Sequence, residues 1–490
     1  MLRTVSRDSL ARNSILIMAS AVGASGLGYL FWMLAARALP QPAVGAATAL
    51  ISAATVVSMV SNLGIGHMFI QRLPGSDGAA WSRIVSGGLL LGSSATALTA
   101  VATIAIVPSL TRNFVFLRGM SGGVALLAAA VALTASTLLD YVFVAHRASH
   151  GMLWRNLALA AGKVLTLLAL TTFGLHSAPA VLLAWTLPSI AVSAHTVRSG
   201  LGRLRPGMRL GGAGIGAELR HIQVSLTGHH LINLAQAGPS ALLPVLVTAR
   251  LGAGENAHFY VAWMTASMLF MVSPAVASAF YAERSNAAVG RSASLPRAAA
   301  VVLAVIGPPA LILYMGGGRI LGLFSAGYAT GGETLLKILV LAAIPDAITN
   351  LAVAHWRSLG AFRRCLRLNL LMATICLTLT WLWLPGAGIA ATGLAWLAGQ
   401  AAGALAVAVL ALRDHLADGD GRRRPTAGGA PSRTASRQNL PGAGMVHAGI
   451  KLDRPEWAIP APKPSQRPPD PPSSAPPGIA RAPRNEASAR

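Results

Sequence analysis

Apolar runs of about twenty residues or more follow one another from about residue 13 to about 412, separated by short polar stretches that carry arginine. Inside the runs Leu, Ala, Val and Gly succeed each other without the period-two alternation of a barrel strand. A helix rising 1.5 Å per residue crosses a hydrocarbon core of about 30 Å in roughly 20 residues. Backbone in lipid must also pair its own N–H and C=O groups, which continuous helices do. The pattern predicts helices at roughly 13–36, 44–70, 84–108, 122–145, 153–174, 179–197, 221–249, 257–281, 298–316, 333–356, 365–384 and 387–412. The fold class is all-α integral membrane, with about twelve transmembrane helices.

Composition agrees: 54% of the 490 residues are hydrophobic, 11% are charged, and the mean hydropathy is +0.58. The first run, Ile15 to Ala36, is too long for a signal-peptide core and stays as helix one. With the N-terminus inside, the inside segments before the tail hold 19 arginines and the outside segments hold 5. That asymmetry fits an even number of crossings with both termini cytoplasmic. Much of the net charge of +24 is therefore an orientation signal against an anionic leaflet, and no nucleic-acid partner is implied.

The chain repeats weakly. Ala36-Arg37 answers Ala249-Arg250 at an offset of 213, Arg72 answers Arg284 at 212, Arg147 answers Arg357 at 210, and Asn156 answers Asn369 at 213. A near-constant spacing predicts two six-helix bundles, residues 1–198 and 221–412, running in the same sense and joined by a basic cytoplasmic linker at 199–220. From Arg413 to Arg490 the composition turns to Pro, Arg, Gly and Ser, which predicts a disordered cytoplasmic tail. Its Pro-x-Pro-x-Pro stretch at Pro460 to Pro464 is a candidate dock for partner proteins, with a solvated tail as the plainer alternative.

The stretch from Asn13 to Pro74, with "ARALPQPAVGAATA" and "NLGIGHMFIQRLPG", resembles the start of bacterial polysaccharide flippases of the multidrug/oligosaccharidyl-lipid/polysaccharide (MOP) exporter superfamily. "LLPVLVTARLGAGENAHFYVAW", "AFYAERS", "LGLFSAGYATGGETLLKILVLAAIP" and "GIAATGLAWLAGQ" resemble its helices seven to twelve. The resemblance covers roughly residues 10–412. It implies two bundles around a cleft in a bacterial cytoplasmic membrane, carrying a polyprenyl-diphosphate-linked oligosaccharide from the inner to the outer leaflet.

Such a cargo needs a polar path through hydrocarbon. Helix seven carries Ser225, His229, Asn233, Gln236 and Ser240 at steps of four, four, three and four, on one face, and is predicted to line the cleft. Helix two carries Thr48, Ser52, Thr55 and Asn62 at similar steps, although small polar groups also serve helix packing. Lys163 is the deepest charge, and Asp140 is its expected partner across the helix four–five turn, counted from His150 as the loop centre. In one reading that pair yields to diphosphate or a proton during transport; in the other it is structural. Arg37 and Arg250 sit at matching outer ends, placed to draw diphosphate outward or to snorkel. Arg72, Glu283 and Arg284 form a candidate cytoplasmic gate, or surface ion pairs.

The sequence points away from other classes. Gly316-Gly317-Gly318 is followed by Arg319-Ile320 and lacks the ending of a nucleotide-binding loop, so no cofactor is expected. Cys365 and Cys376 stand about 16 Å apart along one helix and have no zinc-ligand partners, and His146 and His150 have no nearby carboxylate, so no metal is expected. A membrane glycan polymerase needs catalytic groups in a large outer loop, and the longest one predicted, Gly317 to Gly332, holds no carboxylate pair, so no enzyme is expected. The remaining alternatives are a multidrug or cation exporter of the same superfamily, and a scaffold that gathers glycan-synthesis enzymes through its tail.

Overall fold

The computed structural model describes residues 9–208, 210–211, 227–277 and 295–422. Among these residues twelve long helices form: α1 Ser9–Ala38, α2 Gln41–Ser61, α3 Gly78–Leu110, α4 Met120–Ala145, α5 Ser149–Thr172, α6 Ala178–His195, α7 Thr227–Leu251, α8 Ala253–Phe270, α9 Leu295–Gly322, α10 Ala326–Ser358, α11 Phe362–Ala387 and α12 Ala390–Arg422. Eleven of these helices are long and apolar enough to cross a membrane, and α7, 25 residues long, packs among them. Large apolar side chains such as Leu98, Leu110, Leu311 and Met315 stand exposed, a surface that acyl chains cover without penalty. The chain is a multi-pass membrane protein.

Three boundaries depart from the sequence pattern. Predicted helix two breaks after Ser61, where Leu63 and Gly64 take φ of 50° and 76°, and resumes as a short helix, Ile65–Arg72. The predicted outer loop at 317–332 is helical on both sides of Leu323 to Ser325. Its glycines serve close approach: a Cβ at Gly317 would stand 2.9 Å from Leu336, and one at Gly318 would stand 2.7 Å from Glu333, both on α10. Finally, α12 continues past Leu412 to Arg422, with Arg364 donating to Asp414 at 2.9 Å. Of the predicted tail only residues up to 422 are described; of the linker, Thr196–Gly200 and Leu201–Leu204 continue α6 as short helical turns.

Lipid tails are as apolar as leucine, so packing and interhelical hydrogen bonds hold such helices together rather than hydrophobic burial. Among the first six helices α1 packs on α5, α5 on α6 and α3 on α4; among the last six α11 packs on α12, α9 and α12 on α10, and α7 on α11. The two sets meet where α2 runs against α7 and α8. There a Cβ on Gly45 would stand 1.6 Å from the Ala253 carbonyl oxygen, so only glycine lets the start of α2 lie on the start of α8. Asn256, fully buried, donates through Nδ2 to the Gly45 carbonyl at 3.0 Å and to Thr48 Oγ1 at 2.9 Å. Trp32 meets Tyr260 at 4.9 Å and Tyr29 meets Phe324 at 5.1 Å between ring centres. These contacts sit toward the face predicted to be outer.

Candidate substrate cavity

The larger cavity, about 410 Å³, is walled by α7, α8, α10, α11 and α12. Each helix brings polar groups to it: Gln236 and Ser240 from α7, Ser267 from α8, Asp346, Thr349 and Asn350 from α10, Asn369 from α11 and Gln400 from α12. Trp263, Phe270 and Trp396 supply an aromatic wall, with Trp263 and Trp396 edge to face at 4.9 Å. Helical spacing explains the α10 contribution, since positions 346, 349 and 350 share one face.

Within the cavity Asp346 accepts from Ser273 Oγ at 2.6 Å and from Asn350 Nδ2 at 3.0 Å, and Thr349 donates to Gln400 Oε1 at 3.0 Å. Two donors are left over. Asn369 Nδ2 and Trp396 Nε1 are buried and have no hydrogen-bond partner among the described residues. A buried N–H left unpaired costs about 1–3 kcal/mol, so an acceptor oxygen brought to either group would be stabilised there. At its rim Gln236 Oε1 accepts from Arg357 Nη2 at 3.1 Å.

The predicted residues divide. Gln236 and Ser240 line this cavity, which lies within the last six helices rather than between the two bundles where the cleft is expected, and His229 and Asn233 lie in the same helix. Ser225, Glu283 and Arg284 lie outside the described residues. Thr48 and Ser52 do not line it: both are buried, Thr48 in the α2–α8 seam, while Thr55 bonds back to Ile51 and half-buried Asn62 sits at the α2 break. Arg37 donates to the Leu323 carbonyl at 2.6 Å, and Arg250 donates to the Trp381 carbonyl at 3.1 Å while lying 3.8 Å over the Trp381 ring. Both arginines are thus tied to neighbouring helix ends. Arg72 ends the short helix after α2.

The expected Asp140–Lys163 pair is not formed. Asp140 pairs with Arg155, whose other guanidinium nitrogen donates to the Ser136 carbonyl at 2.9 Å and to its hydroxyl at 2.6 Å. The error lay in the turn: α4 ends at Ala145 and α5 begins at Ser149, so the turn centres near Arg147 rather than His150. That places Arg155 level with Asp140 and Lys163 about 12 Å deeper. Lys163 instead rests its ammonium 3.2 Å from the centre of the Trp185 ring. A cation there costs about 2.5–3.5 kcal/mol, of which a desolvated cation–π contact offsets about 2.

Arg155, Asp346, Asn350, Asn369 and Gln400 are not among the site residues expected from the sequence pattern. The stripe test applied to helix seven would have found the α10 group.

No family model matches the chain, and no curated protein matches it. Solved structures do. The lipid II flippase MurJ in an inward closed conformation matches with a TM-score of 0.65 at 12% identity, over 81% of this chain and 87% of that one. An inward-facing multidrug resistance MATE family transporter of the MOP superfamily matches with 0.56 at 14% identity, over 84% and 96%. The MATE multidrug transporter DinF-BH, in a ligand complex, matches with 0.56 at 14% identity, over 82% and 95%. The likeness to these solved structures gives the chain the fold they share.

Proposed function

We propose that this protein is a flippase that carries a polyprenyl-diphosphate-linked oligosaccharide across a bacterial cytoplasmic membrane for polysaccharide biosynthesis. In this reading the halves at 1–198 and 221–412 rock about the α2–α7–α8 seam in alternating access, with both termini cytoplasmic. The observation that carries it is the surplus of buried donors, Asn369 Nδ2 and Trp396 Nε1, beside amides, hydroxyls and aromatic faces. Sugar hydroxyls and phosphate oxygens are acceptors that would pair them, and ring faces such as Trp263 offer an apolar floor. Likeness in fold to a lipid II flippase supports the same reading. Contacts to glycan-synthesis proteins fall to the tail.

A second reading has one observation in its favour. Asp346 is buried at 6% exposure with no cationic partner among the described residues, and beside three aromatic rings it would suit an organic cation. Its carboxylate is, however, already held by Ser273 and Asn350. Ligand-induced thermal stabilisation of the purified protein separates the two. A lipid-linked oligosaccharide at 100 times its Kd stabilises by about 2.7 kcal/mol. Asn369→Leu abolishes that gain and raises the unliganded Tm, because an unpaired donor is gone. Stabilisation by a rhodamine dye that depends on Asp346, with none from the glycan lipid, would establish the cation reading instead.

A further inference from the structure

A second, smaller cavity of about 130 Å³ lies among α1, α5 and α6. Its lining follows the repeat. Asn156, Leu159, Ala160 and Lys163 line it from α5, and 213 residues later Asn369, Met372, Ala373 and Cys376 line the larger cavity from α11. Ala24 and Ala237 keep the same offset, and Trp185 answers Trp396 at 211. Six of the eight lining residues of the small cavity thus have counterparts in the wall of the large one. The two cavities are equivalent places in the two halves.

Their charge is opposite. Lys163 stands where the second half has Cys376, and Leu133 stands 213 residues before Asp346, so the small cavity gains a cation and lacks the acid. Among the described residues the Lys163 ammonium has the Trp185 face and no carboxylate or acceptor. Asp140 is taken by Arg155, and the Asn156 amide already bonds Ser20 and Arg155. Three N–H donors on a full charge, in low dielectric, favour a compact anion over a neutral sugar. The volume is about a third of that of the other cavity, which suits a headgroup rather than an oligosaccharide.

We infer that the Lys163 cavity is a separate subsite for the phosphate or diphosphate group of the cargo, with the sugar assigned to the Asn369 cavity. This inference rests on reading the cargo as a phosphate-linked lipid. The test is titration of the full-length protein in detergent with geranyl diphosphate, inorganic pyrophosphate and geraniol, followed by tryptophan fluorescence. Geranyl diphosphate gives a saturable change that Trp185→Phe removes, at least tenfold weaker in Lys163→Gln and within threefold of normal in Lys163→Arg. Pyrophosphate binding as tightly as geranyl diphosphate would keep the anion site and assign it to a free anion. Equal affinity in Lys163→Gln, or geraniol binding as well as geranyl diphosphate, overturns the inference; should Lys163→Gln not fold, a Lys163→Arg protein that has lost no affinity while geraniol competes equally does the same. Stabilisation by the glycan lipid through Asn369 is measured independently, so failure at Lys163 leaves the flippase reading standing.

Discussion

Gly45→Ala is the sharpest perturbation of the outer seam. The added Cβ would stand 1.6 Å from the Ala253 carbonyl oxygen, and Cβ contacts under 3.0 Å are essentially never seen, so α2 and α8 must part by at least 1.4 Å. The obstructing atom is helix backbone, which places the cost near the upper end of overpacking, about 3 kcal/mol. Parting also strains the two Asn256 bonds, worth about 0.6 kcal/mol each in a membrane. In the proposed alternating-access cycle that cost falls on the state with the α2–α8 seam closed, and about 3 kcal/mol lowers the ratio of closed to open seam roughly 100-fold. A cysteine in place of buried Val44, with Cys365 and Cys376 changed to Ala, reports this through its reaction with a membrane-impermeant maleimide added outside. Gly45→Ala raises that rate at least tenfold. Asn256→Ala changes it much less, because removing the side chain also removes its own unpartnered, buried Oδ1. A folded Gly45→Ala protein with unchanged labelling would refute the seam as the outer closure.

Two further outcomes follow from the first six helices. Arg155→Met, which strands Asp140 and two Ser136 acceptors, destabilises by about 3 kcal/mol in detergent melts, and adding Asp140→Asn recovers more than half of the loss; Lys163→Met leaves that network intact. His146, just beyond α4, accepts from Trp81 Nε1 at 2.7 Å, and burial first and Arg205 second push its pKa below the ordinary 6.5. The folded state thus disfavours the protonated ring: this stabilisation is complete above about pH 6.5 and is lost as pH falls below it, so Tm drops between pH 7.5 and 5.5 in the native protein and more weakly in Trp81→Phe.

The helices were legible because a bilayer admits few alternatives: an apolar run of about 20 residues must satisfy its own backbone, and all twelve long helices stand where such runs occur. Of helix seven's stripe, Gln236 and Ser240 line a cavity, but one inside the second bundle rather than between the two. Thr48 misled because a hydroxyl that lines a path and one that receives an Asn256 bond look alike in sequence. The partner of Asp140 depended on a three-residue error in the turn, worth nearly a helical turn of height on each strand of the hairpin. The glycines at 316–318 suggested a loop because close helix approach and chain reversal call for the same residue. The repeat, weak as a set of four matches, aligned Asn156 with Asn369, and those two residues line the two cavities.

Transport itself is the most direct test. The purified protein is reconstituted into vesicles containing a fluorescent lipid-linked oligosaccharide, and a membrane-impermeant reductant reads how much of it reaches each leaflet with time. The account predicts exchange between leaflets well above that of protein-free vesicles, reduced at least tenfold by Asn369→Leu. Exchange no faster than in empty vesicles, with Asp346-dependent uptake of a rhodamine dye in the same preparation, would contradict it.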